Sequence, residues 1–301
     1  MKRSHKIRHG TSFYVFNAFA LAFTGILAIL CLLPFIIIIS NSLSSNQSIL
    51  RDGYSLWPRD FSAEAYATLF RYPETILRSY GVTIFVTLIG TAVGLMLIAM
   101  TGYVLSRRDF KYRNKVSFFI YFTSIFGGGV VPWYMMYSNY LHLKDSYLAL
   151  IIPSLMSPFL VILMRTFINS SVPDAVMESA KIDGAGDFLI FVKIVLPIIP
   201  SALATIGLFL ALGYWNDWYL SSMFIESSEK YQLQFYLYNM INSAQAMSSI
   251  AARNPNVSVR TLPTESMKMA MAVVATGPVF LFYPFVQKYF VQGITVGAVK
   301  G

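Results

Sequence analysis

Long apolar runs constrain this chain more than any other feature. A bilayer core needs about 20 apolar residues per helix. The sequence meets or approaches that length in six places: roughly 15–40, 80–105, 116–137, 148–168, 198–220 and 267–289. In hydrocarbon every backbone N–H and C=O must be bonded internally, so runs of this length form helices. Charged residues make up 12% of the chain, against about 25% in soluble domains, so most of the surface is expected to face lipid. The expected fold is an all-α integral membrane bundle of about six transmembrane helices. Residues 15–39 are too long for the apolar part of a signal peptide and end in no small-residue cleavage site, so this run reads as a retained helix. Gly127-Gly128-Gly129, Pro132, Pro153, Pro158 and Pro278 fall inside the runs. Such breakers persist where neighbouring helices or a water-filled path satisfy the freed backbone groups.

The formal net charge is +9. Its cations cluster beside the apolar runs, where they set orientation, and no aromatic-basic platform stands apart to bind nucleic acid. Lys2, Arg3, Lys6 and Arg8 precede the first run. Arg107, Arg108, Lys111, Arg113 and Lys115, against Asp109 alone, follow the second. Both groups are therefore placed in the cytoplasm, together with 169–197 and the C-terminus. Residues 41–79 and 221–266 fall outside, with a capped interfacial helix expected from Asp60-Phe61-Ser62 and Glu64 to about Arg71 and a short helix near 232–246. The lone Cys31 excludes a disulfide framework within the chain, and His5, His9 and His142 lack ligand spacing, so no metal site is expected. The domain reading is a cytoplasmic tail over 1–14, one transmembrane domain over 15–290 with its informative loop near 169–197, and a cytoplasmic tail over 291–301.

That loop carries the function. Ser171-Val172-Pro173-Asp174 reads as a cap, a proline near the first helical position and an acid in the first turn. A short helix runs on to Asp183, Gly184 supplies a left-handed C-cap, and a second helix near 187–195 stops before Pro197. An amphipathic helix–Gly–helix on the cytoplasmic face suits docking of a partner. Its mixed charge, Lys181 and Lys193 with Asp174, Glu178, Asp183 and Asp187, argues against a segment that merely lies on anionic lipid.

Glu178-Ser179-Ala180, three residues, Gly184, nine residues, Ile194, one residue, Leu196-Pro197 resembles the EAA loop of bacterial ABC importer permeases, with Ser179 where a second Ala is usual. The string from Glu178 through Asp183 and Gly184 to Ala185 resembles the version in carbohydrate importers of the maltose-permease type. Tyr214-Trp215-Asn216-Asp217 resembles the Trp-Asn element of sugar permeases, and the ending from Gln287 to Gly301 resembles that of maltose-type permeases. Pro263-Thr-Glu-Ser-Met-Lys268 and the triple glycine resemble the branch handling larger or acidic oligosaccharides.

The resemblance implies a six-helix type I importer permease in the bacterial cytoplasmic membrane, both termini cytoplasmic. It would form half of a carbohydrate path and would itself be no enzyme. The implied partners are a second homologous permease, an ATPase dimer holding ATP and Mg, and an extracellular or periplasmic solute-binding protein. Glu178 would contact the ATPase cleft, Gly184 would allow the turn, and Ile194 and Leu196 would pack the loop on the bundle. The tail residues Gly293, Gly297, Lys300 and Gly301 would reach the ATPase.

The residues themselves point the same way. There is no G-x-x-x-x-G-K-[ST] phosphate loop and no chain of buried acids or histidines to relay protons, so energy must come from outside the chain. Trp133, Tyr134, Tyr214, Trp215 and Trp218 are candidates to stack sugar rings, or are interface anchors; Asn216 and Asp217 bond hydroxyls or cap the loop. The alternatives are an ABC permease for another solute, such as peptide, and an ion-coupled secondary transporter. A membrane-embedded enzyme lacks any catalytic pair at one depth.

Overall fold

The computed structural model describes residues 10–253 and 263–298. It is helical throughout; the described residues hold no strand beyond an isolated Ser44–Phe61 bridge. Two helices, Ser12–Ser42 and Pro73–Ser106, are long and apolar enough to cross a membrane. The first has no buried residue across its apolar window, as expected of a helix that is apolar on every side and solvated by lipid. Three bent pairs pass the same test together. The final helix, Thr264–Ala298, occupies the sixth expected position and continues through residues 291–298.

Two bends fall inside expected spans, at breakers the sequence showed, and the third where the loop's second helix meets the fifth span; each has a local cause. Arg113–Ile125 and Val130–Tyr140 meet at 113° because the triple glycine intervenes and Gly129 takes φ +88°, a conformation open to glycine at no steric cost. Tyr147–Ser154 and Pro158–Ser171 meet at 50°; Ser157, ahead of Pro158, sits at φ −86°, ψ 124°, since proline disfavours the helical region for its predecessor. Asp187–Ile198 and Pro200–Trp215 meet at 88°, with Ile199 leaving helical geometry ahead of Pro200. The loop's second helix thus runs past Pro197 to Ile198, and the fifth span ends at Trp215.

Two compact units divide the chain. One comprises the described part of Met1–Arg71 with Ile241–Thr276. In it the fully buried Asn41 side chain bridges Ile37 and Ser55. Asn46 Oδ1 accepts the N–H groups of Glu265 at 2.9 Å and Ser266 at 3.4 Å, filling an otherwise orphaned helix start. The interfacial helix is Glu64–Leu69. Its N-cap residue is Ala63, and just ahead of it Ser62 Oγ accepts the Glu64 N–H at 3.2 Å.

The other unit, Tyr72–Met240 with the described part of Gly277–Gly301, is organised by the helix Pro73–Ser106. Glycines 90, 94 and 102 lie on one of its faces, and each admits a neighbour that a methyl group would exclude. A Cβ on Gly90 would fall 2.4 Å from Tyr214 Cζ, one on Gly94 2.9 Å from the Leu155 carbonyl oxygen, and one on Gly102 2.6 Å from Met164 Cγ. Small residues at such spacing let membrane helices approach closely where no hydrophobic force drives them together. Gly90→Ala is therefore expected to destabilise the bundle by about 1–3 kcal/mol through overpacking against Tyr214. Thermal unfolding in detergent checks this, and Gly81→Ala, which meets nothing within 4 Å, is the silent control.

Candidate functional site

Residues 174–198 build the expected helix–turn–helix. The first helix spans Asp174–Ile182, with Asp174 in its first turn and Lys181 in its last, complementing the helix dipole at both ends. Ser171 closes the preceding helix instead of capping this one. The helix ends in a full Schellman turn: Ala185 N–H donates to Ala180 O at 2.9 Å and Gly184 N–H to Lys181 O at 3.0 Å, with Gly184 at φ +82°. This is the left-handed position for which glycine is chosen. A Cβ there would meet nothing within 4 Å, so the requirement is conformational. The second helix opens with Asp187–Ile190, widens to a π-helical stretch over Phe191–Val195 and closes with Leu196–Ile198.

The pair has an inner and an outer face. Met177, Ile190, Phe191 and Val195 are buried in a core shared with Ile98, Tyr103 and Leu105, and Ala180, Ala185, Ile194 and Leu196 pack against it. On the outer side Glu178, Ser179, Asp183 and Pro197 are exposed, and so are the apolar Ile182 (87%) and Phe188 (66%). Ser179 Oγ donates to the Ala175 carbonyl.

Arg107 and Arg108, read above only as orientation signals, turn out to fasten this loop together with Lys181. Arg107 pairs with Asp109 and Asp187, Lys181 with Asp109, and Arg108 with Asp174 at 2.7 Å. The Arg107 side chain is 14% exposed, and its guanidinium lies 5.8 Å from the Tyr103 ring centre. That ring in turn packs on Phe191 at 5.5 Å. The guanidinium is thus enclosed by the helix end on one side and the loop on the other. Hydrogen bonds from Arg107 and then Lys181 hold the Asp109 carboxyl well below its ordinary pKa of 3.8. A depressed carboxyl stabilises the fold above its unfolded-state pKa and loses that contribution as pH falls towards the folded value. The melting-temperature difference between the native chain and Asp109→Asn is expected to stay constant above about pH 5 and to shrink only below about pH 4; a melting series across pH 3–8 reads it.

The aromatic candidates separate into two groups. Trp133 stacks on Tyr219 at 6.3 Å, Tyr134 on Phe224 at 5.6 Å and Trp218 on Tyr238 at 4.9 Å, each keeping part of its surface open. Tyr214 and Trp215 do not: they are 1% and 7% exposed. Tyr214 donates its hydroxyl to the Ile151 carbonyl at 2.8 Å and fills the space over Gly90. In this structure Tyr214 is enclosed on all sides and leaves no ring face open. Asn216 Nδ2 donates to Leu212 O. Asp217 Oδ1 accepts the N–H groups of Tyr219 and Leu220, capping the helix that follows. Gly293 and Gly297 lie in the helix Thr264–Ala298; Lys300 and Gly301 lie outside the described residues.

One residue escaped the sequence reading. Arg165 sits in Pro158–Ser171, within an expected span, where an ionisable side chain is a functional candidate by default. It donates to Ser117 Oγ at 2.9 Å.

Comparison with known proteins agrees across nearly the whole chain. The polygalacturonan/rhamnogalacturonan transport system permease protein YtcP of Bacillus subtilis is 38% identical over 95% of this chain and 99% of its own length. Protein LplC of the same organism is 35% identical over 100% of both. The arabinooligosaccharides transport system permease protein AraQ of B. subtilis is 28% identical over 98% of this chain and 100% of its own. Among solved structures, a bacterial ABC transporter involved in import of the acidic polysaccharide alginate superposes with a TM-score of 0.76 at 30% identity, covering 95% of this chain and 100% of that one. No family model matches the chain.

Proposed function

The chain belongs to the permeases of bacterial carbohydrate ABC importers, and from that membership we propose that it forms half of an oligosaccharide path and receives force through residues 174–198. The observation that carries this reading is the two-faced loop. One face is buried in the core and ion-paired to the end of Pro73–Ser106; the other presents Glu178, Ile182 and Phe188 outward. A solvated helix with no partner gains nothing from exposing Ile182 and Phe188, whereas apolar anchors of that kind with a polar rim suit a protein cleft. The proposed occupant is an ATPase that binds ATP and Mg, one subunit facing this loop and another facing a homologous permease. A solute-binding protein would deliver cargo on the opposite side. Both termini are assigned to the cytoplasm, since the basic stretches beside the first two long helices set that orientation. In this arrangement nucleotide-driven closure of the ATPase moves the loop, and the loop moves the bundle between inward and outward openings.

Glu178 gives a selective test. Among the described residues its carboxylate engages nothing in the chain, so Glu178→Lys should leave folding unchanged. In proteoliposomes containing both permeases and the ATPase, the variant is expected to lose ATP-driven oligosaccharide uptake and to retain the ATPase poorly after purification. Normal uptake with the ATPase retained would overturn the assignment, as would uptake driven by an ion gradient with no ATPase present.

A further inference from the structure

Ser106, Arg108, Arg113, Arg165, Asn169 and Asp174 line a cavity of about 300 Å³. Of its three guanidinium groups, Arg108 pairs with Asp174. Arg113 donates to the Arg107 carbonyl at 3.5 Å and Arg165 to Ser117 Oγ at 2.9 Å; among the described residues neither meets a carboxylate. Three cations therefore face one anion in a recess where the helices end. Arg165 is fixed there by close helix contact, since a Cβ on Gly102 would lie 3.1 Å from its backbone nitrogen. A cation inside an apolar helix without an anionic partner is costly, so the recess is electrostatically incomplete.

We propose that this cavity binds the phosphate of an anionic phospholipid headgroup. Guanidinium groups match phosphate oxygens with paired N–H donors, and basic recesses between membrane helices on the cytoplasmic side take such headgroups. A surface for the acyl chains adjoins the cavity: Tyr112, Val116 and Phe119 are 53%, 37% and 67% exposed beside Arg113, and no residue of Arg113–Ile125 is buried. The site also reaches the loop. Its one acid, Asp174, opens the helix Asp174–Ile182, so a phosphate competes with Asp174 for Arg108 and makes the loop's seating sensitive to the inner leaflet. The inference rests on the functional reading for the side of the membrane and for that consequence; the binding itself needs neither cargo nor ATPase.

The experiment uses the full chain purified in mild detergent after exchange into phosphatidylglycerol or phosphatidylcholine, with retained lipid measured by native mass spectrometry. Phosphatidylglycerol is expected to be retained selectively. The Arg113→Gln/Arg165→Gln pair should lose it on the order of thirtyfold, since each cation near a charged membrane surface contributes roughly fivefold, and the Arg113→Lys/Arg165→Lys pair should recover most of it. Equal retention by the Gln pair overturns the proposal. Displacement of the lipid by millimolar inorganic phosphate or by an acidic oligosaccharide also overturns it, by making the recess a general anion site. If the Gln pair does not fold, a photoreactive phosphatidylglycerol on the native chain decides: crosslinks at residues 106–117 or 165–174 support the site, and their absence removes it. ATP-driven uptake is scored separately, so loss of the transport reading would leave the lipid result standing.

Discussion

A chain carrying Gly184→Pro is expected to insert normally, to lose oligosaccharide uptake completely and to let the ATPase dissociate. Proline fixes φ near −65°, whereas Gly184 sits at +82°, and proline also removes the N–H that donates to Lys181 O at 3.0 Å. The turn cannot form, so the outer face bearing Glu178, Ile182 and Phe188 is no longer presented as one surface. Gly184→Ala separates conformation from bulk. Nothing crowds the added methyl, and the left-handed backbone costs an L-residue about 1–2 kcal/mol. Uptake by the alanine variant should fall by roughly tenfold while the ATPase is partly retained. Co-purification and uptake together give both readouts, and near-normal uptake by the proline variant would show that the loop does not transmit force.

The second large effect is expected at Arg107. Replacement by Ala leaves Asp109 and Asp187 facing Lys181 alone and empties the stack on Tyr103. Because the Arg107 side chain is 14% exposed, the loss is larger than for an exposed ion pair, about 1.5–3 kcal/mol for hydrogen bonds to charged groups. The ATPase should still bind, since the outer face is untouched, and should hydrolyse ATP with little uptake. Arg107→Glu combined with Asp187→Arg restores one of the two ties and should recover part of the coupling. ATP turned over per solute imported is the diagnostic ratio: it rises in the single variant and falls back in the double. A single variant that lost ATPase binding instead would place Arg107 at the docking surface itself.

These effects differ in how far the sequence announced them. Gly184 was legible because the signal is local: a short amphipathic stretch, a glycine at its end and small residues at fixed spacing specify the turn within about ten residues. The apolar spans were legible for the same reason, as were the breakers inside them. What the breakers do was not. Gly129 and Pro158 mark where a bend falls, but not its angle, 113° at the first and 50° at the second. Small-residue spacing at Gly90, Gly94 and Gly102 was available in the sequence as a helix-contact signal, and Arg165 as an ion within an apolar run; both are local clues that point to distant partners without naming them.

The sequence by itself determined a lipid-solvated helical chain and a glycine-hinged loop, because hydrophobic length and backbone preference act over one or a few helical turns. Tertiary structure alone decided that Arg107 reaches Asp187 and that Tyr214 fills the space above Gly90. It also decided that Arg113 and Arg165 meet in one recess. Those pairings join residues dozens of positions apart, and no local preference encodes which ion or ring will be opposite once the helices have packed.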